Sequence, residues 1–162
     1  MSVIEPLAAR RARVLALMRI FVGVLFIATW IENLAKGLYG AQKYADFVQG
    51  YADTTRVPGM GWFIESVVVP NAALFSKGQM VAELVVMGVF LAVGLFTPVS
   101  GLVATGFGLN LLLASRGSGE WWGTYGMLIV LSLVVAVTQS GRTWGVDARL
   151  ARRRERWRLP VY

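Results

Sequence analysis

Four apolar runs dominate this chain, and one of them, Glu83 to Thr97 (E-L-V-V-M-G-V-F-L-A-V-G-L-F-T), opens on a carboxylate. A run of that length and purity suits the hydrocarbon of a bilayer, and three others flank it in the same chain. A carboxylate in hydrocarbon is costly and is usually paired or functional. Glu83 is therefore the first residue to ask a function of. Composition points the same way. The chain of 162 residues is 56% apolar and only 15% charged, where soluble domains carry about 25% charge. The length suits one domain, a helical bundle without a separate catalytic module.

The sequence contains neither cysteine nor histidine. That excludes thiol redox, iron–sulfur ligation, zinc sites of the usual kind and histidine-ligated haem. It also removes the commonest general base and any Ser-His or Cys-His nucleophile. Electron transfer through this chain needs a quinone, a pigment or a partner subunit to carry the electrons.

The formal charge of +7 is concentrated at the ends. Ten of the sixteen Lys/Arg residues fall in the two tails: Arg10, Arg11 and Arg13, then Arg142, Arg149, Arg152, Arg153, Arg154, Arg156 and Arg158. This is the distribution of cytoplasmic membrane flanks, with anionic lipid phosphates as the counterions, and not that of a nucleic-acid-binding face.

The expected fold is an all-α integral membrane bundle of four transmembrane helices, over about 14–36, 78–96, 99–115 and 121–138. A basic tail, Met1 to Arg13, precedes the first. That first run carries Arg19 and Glu32 and lacks a small-residue cleavage site, so it reads as a span and not as a cleaved signal peptide. Arg19 is expected to reach water at the tail end of its helix. Glu32 and Lys36, four apart with the acid first, are placed to pair at the other end.

An outer loop, 37–77, has balanced charge and a turn cluster at Pro58-Gly59 and Gly61. Its stretch from Tyr39 to Tyr51 and the segment Trp62 to Val69 read as short interfacial helices, and Asn71 as a helix N-cap. On the second span Glu83, Met87, Phe90 and Gly94 form one stripe. Thr97 to Gly101 reads as a tight turn into the third span. Trp121 and Trp122 mark a membrane interface at the start of the fourth, which carries a thin seam of Tyr125, Ser132 and Gln139. The tail, 142–162, includes a basic amphipathic helix whose Arg149, Arg152, Arg153 and Arg156 are expected to contact lipid.

Four spans place both termini on one side, and the basic tails make that side the cytoplasm. Glu32, Lys36, Glu83, Asn110, Trp121, Trp122 and Tyr125 then lie at one outer level. Carboxylates, a lysine, an amide and aromatic walls at one depth suit a flat ring with polar edges, such as a quinone head, with Glu83 as proton relay. The competing account makes Glu83–Lys36 or Glu32–Lys36 an ion pair that ties helices together. A small transporter is disfavoured by four spans without a repeat.

Several segments carry a family resemblance. R-I-F-V-G-V-L-F from Arg19 and E-N-L-A-K-G from Glu32 resemble the first helix of the DoxX/DoxD-like membrane proteins. V-V-V-P-N-A-A-L-F from Val67 and A-E-L-V-V-M-G-V-F-L-A-V-G-L-F-T-P from Ala82 are similar to the second, and L-N-L-L-L-A from Leu109 and G-R-T-W-G-V-D-A from Gly141 to the third helix and the exit. The resemblance covers most of residues 15–150. It implies a four-helix membrane bundle like the small subunit of thiosulfate:quinone oxidoreductase, which works with a partner subunit and a membrane quinone. It also leaves room for an accessory role, packing against a larger respiratory or photosynthetic complex and binding lipid or pigment. The more distant vitamin K epoxide reductase bundles use cysteines absent here. Pro98 stands where relatives commonly carry a basic residue. The implied location is the plasma membrane.

Because the native chain has no cysteine, topology is open to labelling. A cysteine at Ser118 is expected to react with an impermeant thiol reagent on intact cells, and one at Ser2 only after permeabilisation. The opposite order of labelling overturns the orientation.

Overall fold

A glycine in the first helix sets the spacing of the bundle. In the computed structural model, which describes the backbone of residues 4–157 and the side chains of 7–153, α1 runs Ile4–Ala35. Its Gly23 lies against the second long helix so closely that a Cβ there would stand 2.5 Å from the Ala92 amide nitrogen and 2.8 Å from the Gly88 carbonyl oxygen. Small residues at such crossings let backbones approach where lipid supplies no hydrophobic drive between helices.

The second long helix is continuous over 72–93 but not uniform. It begins as α4 (Ala72–Val81), widens into a π-helical segment (Ala82–Val89) and ends as α5 (Phe90–Val93). Then come α6 (Thr97–Ala114) and α7 (Trp122–Val137). These two pack antiparallel: Gly101 abuts Ala136 at 2.9 Å and Gly108 abuts Ile129 at 3.1 Å, both measured from the missing Cβ. A short 3-10 turn, Ser140–Arg142, leads to the basic α8 (Val146–Trp157). Val22, Phe26, Met87, Leu91, Ala104 and Val135 form one buried cluster, drawn from all four long helices.

Among the described residues, three helices are long and apolar enough to cross a membrane: Leu7–Ala35, Ala72–Val93 and Thr97–Ala114. α7 is apolar but has only 16 residues, about 24 Å at 1.5 Å per residue. The surface is apolar and the interior holds polar groups. Val14, Phe21, Val24, Val99, Leu102, Val130 and Val137 are exposed, while Arg19, Ser76, Glu83, Thr97, Ser100 and Ser132 are buried. A water-soluble fold has the reverse arrangement.

The segment expected to form the outer loop, 37–77, is a folded layer. α2 (Ala41–Thr54), α3 (Met60–Phe63) and a second π-helical segment (Ile64–Val68) cover one end of the bundle. Tyr44, Val48, Tyr51, Ile64, Val68, Ala72 and Ala114 make its own buried core. Both expected interfacial segments are therefore helices. Asn71 stands at the helix start, but its side chain donates back to the Val67 carbonyl and does not cap.

Four expectations are corrected. From Ile4 onward the basic stretch before residue 14 is helical and continuous with the first span. The tight turn lies at Gly94–Phe96, where Gly94 (φ 72°) and Phe96 (φ 47°) are left-handed, and Thr97–Gly101 is already helix, with Pro98 in its first turn. Asp147 accounts for that start, because its carboxylate accepts from the amides of Phe96 (2.8 Å) and Thr97 (2.9 Å). Arg19 does not reach water. It is 0% exposed, and its guanidinium donates to the carbonyls of Leu91 (2.8 Å), Ala92 (3.3 Å) and Trp144 (3.5 Å). The negative end of the second helix supplies a partner that the sequence does not display. Finally, the π-helical widening moves the inner seam of that helix to Glu83, Met87 and Leu91, leaving Phe90 half-buried.

Gly23→Val is expected to lower the bundle's stability by about 1–3 kcal/mol, the usual cost of overpacking. Gly50→Ala, at a helical glycine with open space around it, is expected to be neutral or stabilising. Thermal unfolding in detergent compares them, and equal midpoints would refute the close contact.

Candidate functional site

Glu83 sits in the first turn of the π-helical segment and is 1% exposed. Three neutral donors surround it. Asn33 Nδ2 donates to Oε2 at 3.1 Å, and Gln79 Nε2 donates to Oε1 at 2.7 Å. The Tyr39 hydroxyl makes a short hydrogen bond to Oε2. Each donor has a local reason to be there. Gln79 is one turn before Glu83 on the same helix. Asn33 continues the inner stripe of α1 through Ala16, Arg19, Val22 and Phe26. Tyr39 is turned inward by left-handed Gly37 and stacks on Trp30, ring centroids 6.4 Å apart.

Beside this carboxyl lies a pocket of 480 Å³, within the size range of small-molecule sites. Its walls come from every element of the outer layer: Tyr44, Phe47, Val48 and Tyr51 of α2, Met60 and Phe63 of α3, Ile64 and Val68 of the π-helical segment after α3. Leu74, Phe75, Gly78, Gln79 and Ala82 of the second helix and Phe107, Asn110, Leu111 and Ala114 of α6 complete it. Most of this lining is apolar or aromatic, with Tyr44, Gln79 and Asn110 as polar points. Glu83 itself does not line the pocket. It is reached through Gln79, whose Oε1 accepts from the Tyr44 hydroxyl at 3.0 Å.

The sequence-derived set divides accordingly. Asn110 lines the pocket, and Glu83 stands behind its wall. Glu32 and Lys36 pair with each other at 2.6 Å on the exposed side of α1 and do not reach Glu83. The Glu83–Lys36 alternative is thereby corrected: Lys36 faces solvent, and uncharged groups satisfy the carboxyl. Trp121 and Trp122 are exposed and lie outside this pocket. Trp122 borders a smaller polar one of 250 Å³ with Arg56, Arg116 and Glu120. Tyr125 belongs to a separate cluster, donating to Glu120, which also accepts from Tyr51 at 3.1 Å. Arg149, Arg152 and Arg153 are exposed on α8, and the Arg156 side chain lies outside the described residues. No group of three or more potential metal ligands occurs among the described residues.

Asn33, Tyr39, Tyr44 and Gln79 were not singled out from sequence. Asn33 was within reach, since extending the α1 stripe from Arg19 by sevens passes through Phe26 to Asn33. Tyr39 and Tyr44 carry no such signal, because only the folded outer layer brings them over the second helix.

A family model described as TQO small subunit DoxD matches residues 14–161. No match was found among curated proteins, and none among solved structures.

Burial, and then the charge of Glu83, push the Tyr44 hydroxyl up to about 12, against about 10 for a free tyrosine. The folded protein thus holds that proton more tightly than the unfolded chain. The stability involved is complete below about pH 10 and is lost as pH rises through 12. Tyr44→Phe has no such proton to lose. Over that interval its stability in detergent is expected to fall less steeply with pH than that of the wild type. Equal slopes in thermal unfolding would contradict the assignment.

Proposed function

This chain belongs to the DoxD family, and from that premise we propose that it is the small membrane subunit of a thiosulfate:quinone oxidoreductase-like complex, with its quinone site in the outer pocket. The observation that carries the reading is the pocket's link to a buried carboxyl: Tyr44 to Gln79 to Glu83, at 3.0 and 2.7 Å. Aromatic walls with a few convergent polar groups suit a flat ring. Both π-helical segments border the same place, Ile64 and Val68 from one and Ala82 from the other. Such segments occur often at functional sites.

A bound quinone would supply the redox chemistry, accepting two electrons and two protons. The chain's own groups bind and orient. Phe47, Phe63, Phe75 and Phe107 would flank the ring, and Tyr44, Gln79 and Asn110 would meet its polar edge. Glu83 holds or releases a proton at its carboxyl oxygens, shielded from bulk water. Electrons come from a partner subunit, since the chain carries no cysteine or histidine to hold a metal centre.

In this reading α7 is the fourth span, lying alongside α6 from Gly108 to Gly101, and both termini are cytoplasmic in the plasma membrane. The exposed arginines of α8 face anionic lipid phosphates on that side. A second reading, a non-catalytic accessory subunit that binds lipid or pigment, is favoured by how completely neutral donors satisfy Glu83 without any ligand.

Glu83→Gln separates the two. It keeps the shape and removes the proton carrier. Quinone reduction per purified complex is expected to fall by about 10²–10⁴ while the complex still assembles. Normal turnover per complex would retire the quinone-site reading and leave the accessory subunit.

A further inference from the structure

The hydrogen bonds around Glu83 are unequal. Oε2 accepts from two donors, Asn33 and the Tyr39 hydroxyl, whereas Oε1 accepts from Gln79 alone. The same Gln79 amide turns its oxygen to Tyr44, which donates to it at 3.0 Å. Gln79 thus stands between a carboxyl outside the pocket and a hydroxyl that lines it. Its orientation follows from its neighbours: an ionised carboxylate only accepts and requires the NH₂ end, while a tyrosine hydroxyl serves either end.

We propose, building on the reading of the pocket as a quinone site, that Gln79 is a positioning residue that passes the protonation state of Glu83 to Tyr44 and so selects the oxidised ligand. One proton taken up from the medium goes to Oε1, the oxygen with a single donor. Oε1–H then needs an acceptor, and the Gln79 amide provides it by turning half a revolution. Its oxygen now faces Glu83 and its NH₂ faces Tyr44. Tyr44 accepts from that NH₂, and its own O–H is released to donate into the pocket. With Glu83 ionised, the same O–H is engaged by Gln79. Proton uptake therefore favours a ligand that offers an acceptor, the carbonyl of a quinone over the hydroxyl of a quinol.

The surroundings leave this exchange to neutral groups. Asn33 approaches from α1, Tyr39 from the turn after it, Tyr44 from α2 and Gln79 from the helix of Glu83 itself. Asn110 on α6 faces the pocket uncharged. Glu32 of α1 and Lys36 just after it are exposed and paired to each other, and Lys43 of α2 donates to the Lys36 carbonyl at 3.2 Å. The one salt bridge among the described residues is theirs, so no cation competes for Glu83 within ion-pair distance.

The test measures binding of a decyl-tailed benzoquinone, and of its quinol under anaerobic conditions, to the full chain in nanodiscs between about pH 4.5 and 8.5. Tryptophan quenching reports occupancy. Wild type is expected to bind the quinone about tenfold more tightly at the acid end, the worth of one hydrogen bond, with quinol affinity nearly flat. Tyr44→Phe, Gln79→Met and Glu83→Gln should each abolish the slope, with quinone bound at every pH no more tightly than by wild type at the alkaline end. A flat wild-type profile, or a slope that survives in Tyr44→Phe, overturns the inference and leaves the quinone pocket standing. Tyr44→Phe alone decides if Gln79→Met does not fold. Absence of quinone binding at every pH overturns both.

Discussion

The close crossing of α1 and the second long helix at Gly23 and Gly88 governs much of what surrounds it. Ile27 sits 2.8 Å from where a Gly88 Cβ would be, and Gly23 faces Ala92. At this separation Arg19, one turn before Gly23, reaches the carbonyls that end the second helix, and Asn33, further along, reaches Glu83. Arg19 also holds the Trp144 carbonyl, which draws in the loop that follows α7. That loop brings Asp147 to the first amides of α6, and the Asp147 amide in turn donates to Gly94 at 2.9 Å. Helix ends that lie near hydrocarbon must have their backbone groups satisfied by the protein. Here one buried guanidinium and one carboxylate serve two such ends, the C-terminus of the second helix and the N-terminus of α6.

The π-helical widening of the second helix supplies what that crossing alone would not. In a regular α-helix of 3.6 residues per turn, a stripe of residues spaced by four steps about 40° round the axis at each turn. The extra residue in the turn rephases it, so that Glu83, Met87 and Leu91 all face inward. Gln79, in the regular part before the widening, borders both Glu83 and the pocket. A carboxyl buried behind a ligand-sized pocket, yet joined to it by one amide, follows from this local change in pitch.

Among the described residues, the two buried side chains of charged type, Arg19 and Glu83, lie at opposite ends of the bundle and are satisfied in different ways. Arg19 uses backbone carbonyls at a helix C-terminus, whose partial negative charge suits a cation. Glu83 uses side-chain donors from three separate segments. The first arrangement is rigid, because carbonyls of packed helices do not rotate. The second consists of two side-chain amides and one hydroxyl, groups that can turn about their own bonds. That difference places the adaptable chemistry at the end covered by α2 and α3, beside the pocket, and leaves the other end as a structural clasp.

Sequence alone determined the solvent and the class of fold. Runs such as Val14–Leu34 and Glu83–Thr97, with charge withdrawn to the tails, admit few structures other than packed helices in lipid, and they also carry the family pattern. Sequence also marked Glu83, because an isolated carboxylate in such a run is conspicuous whatever surrounds it. It did not reveal the partners. Glu32 and Lys36 looked like the natural companions by charge and spacing, yet they lie on the solvent side of α1, while Asn33 between them lies on the inner side. Arg19 looked like an anchor to water because its acceptors are backbone carbonyls, which have no signature in residue type. The pocket was invisible for the same kind of reason: its walls come from segments far apart in the chain, and only the folding of the outer layer over the bundle end brings Tyr44 to Gln79. Periodicity records which way a residue faces on its own helix. What it meets there depends on pitch and on the distance between helices, and Gly23, Gly88 and the widened turn set those only in three dimensions.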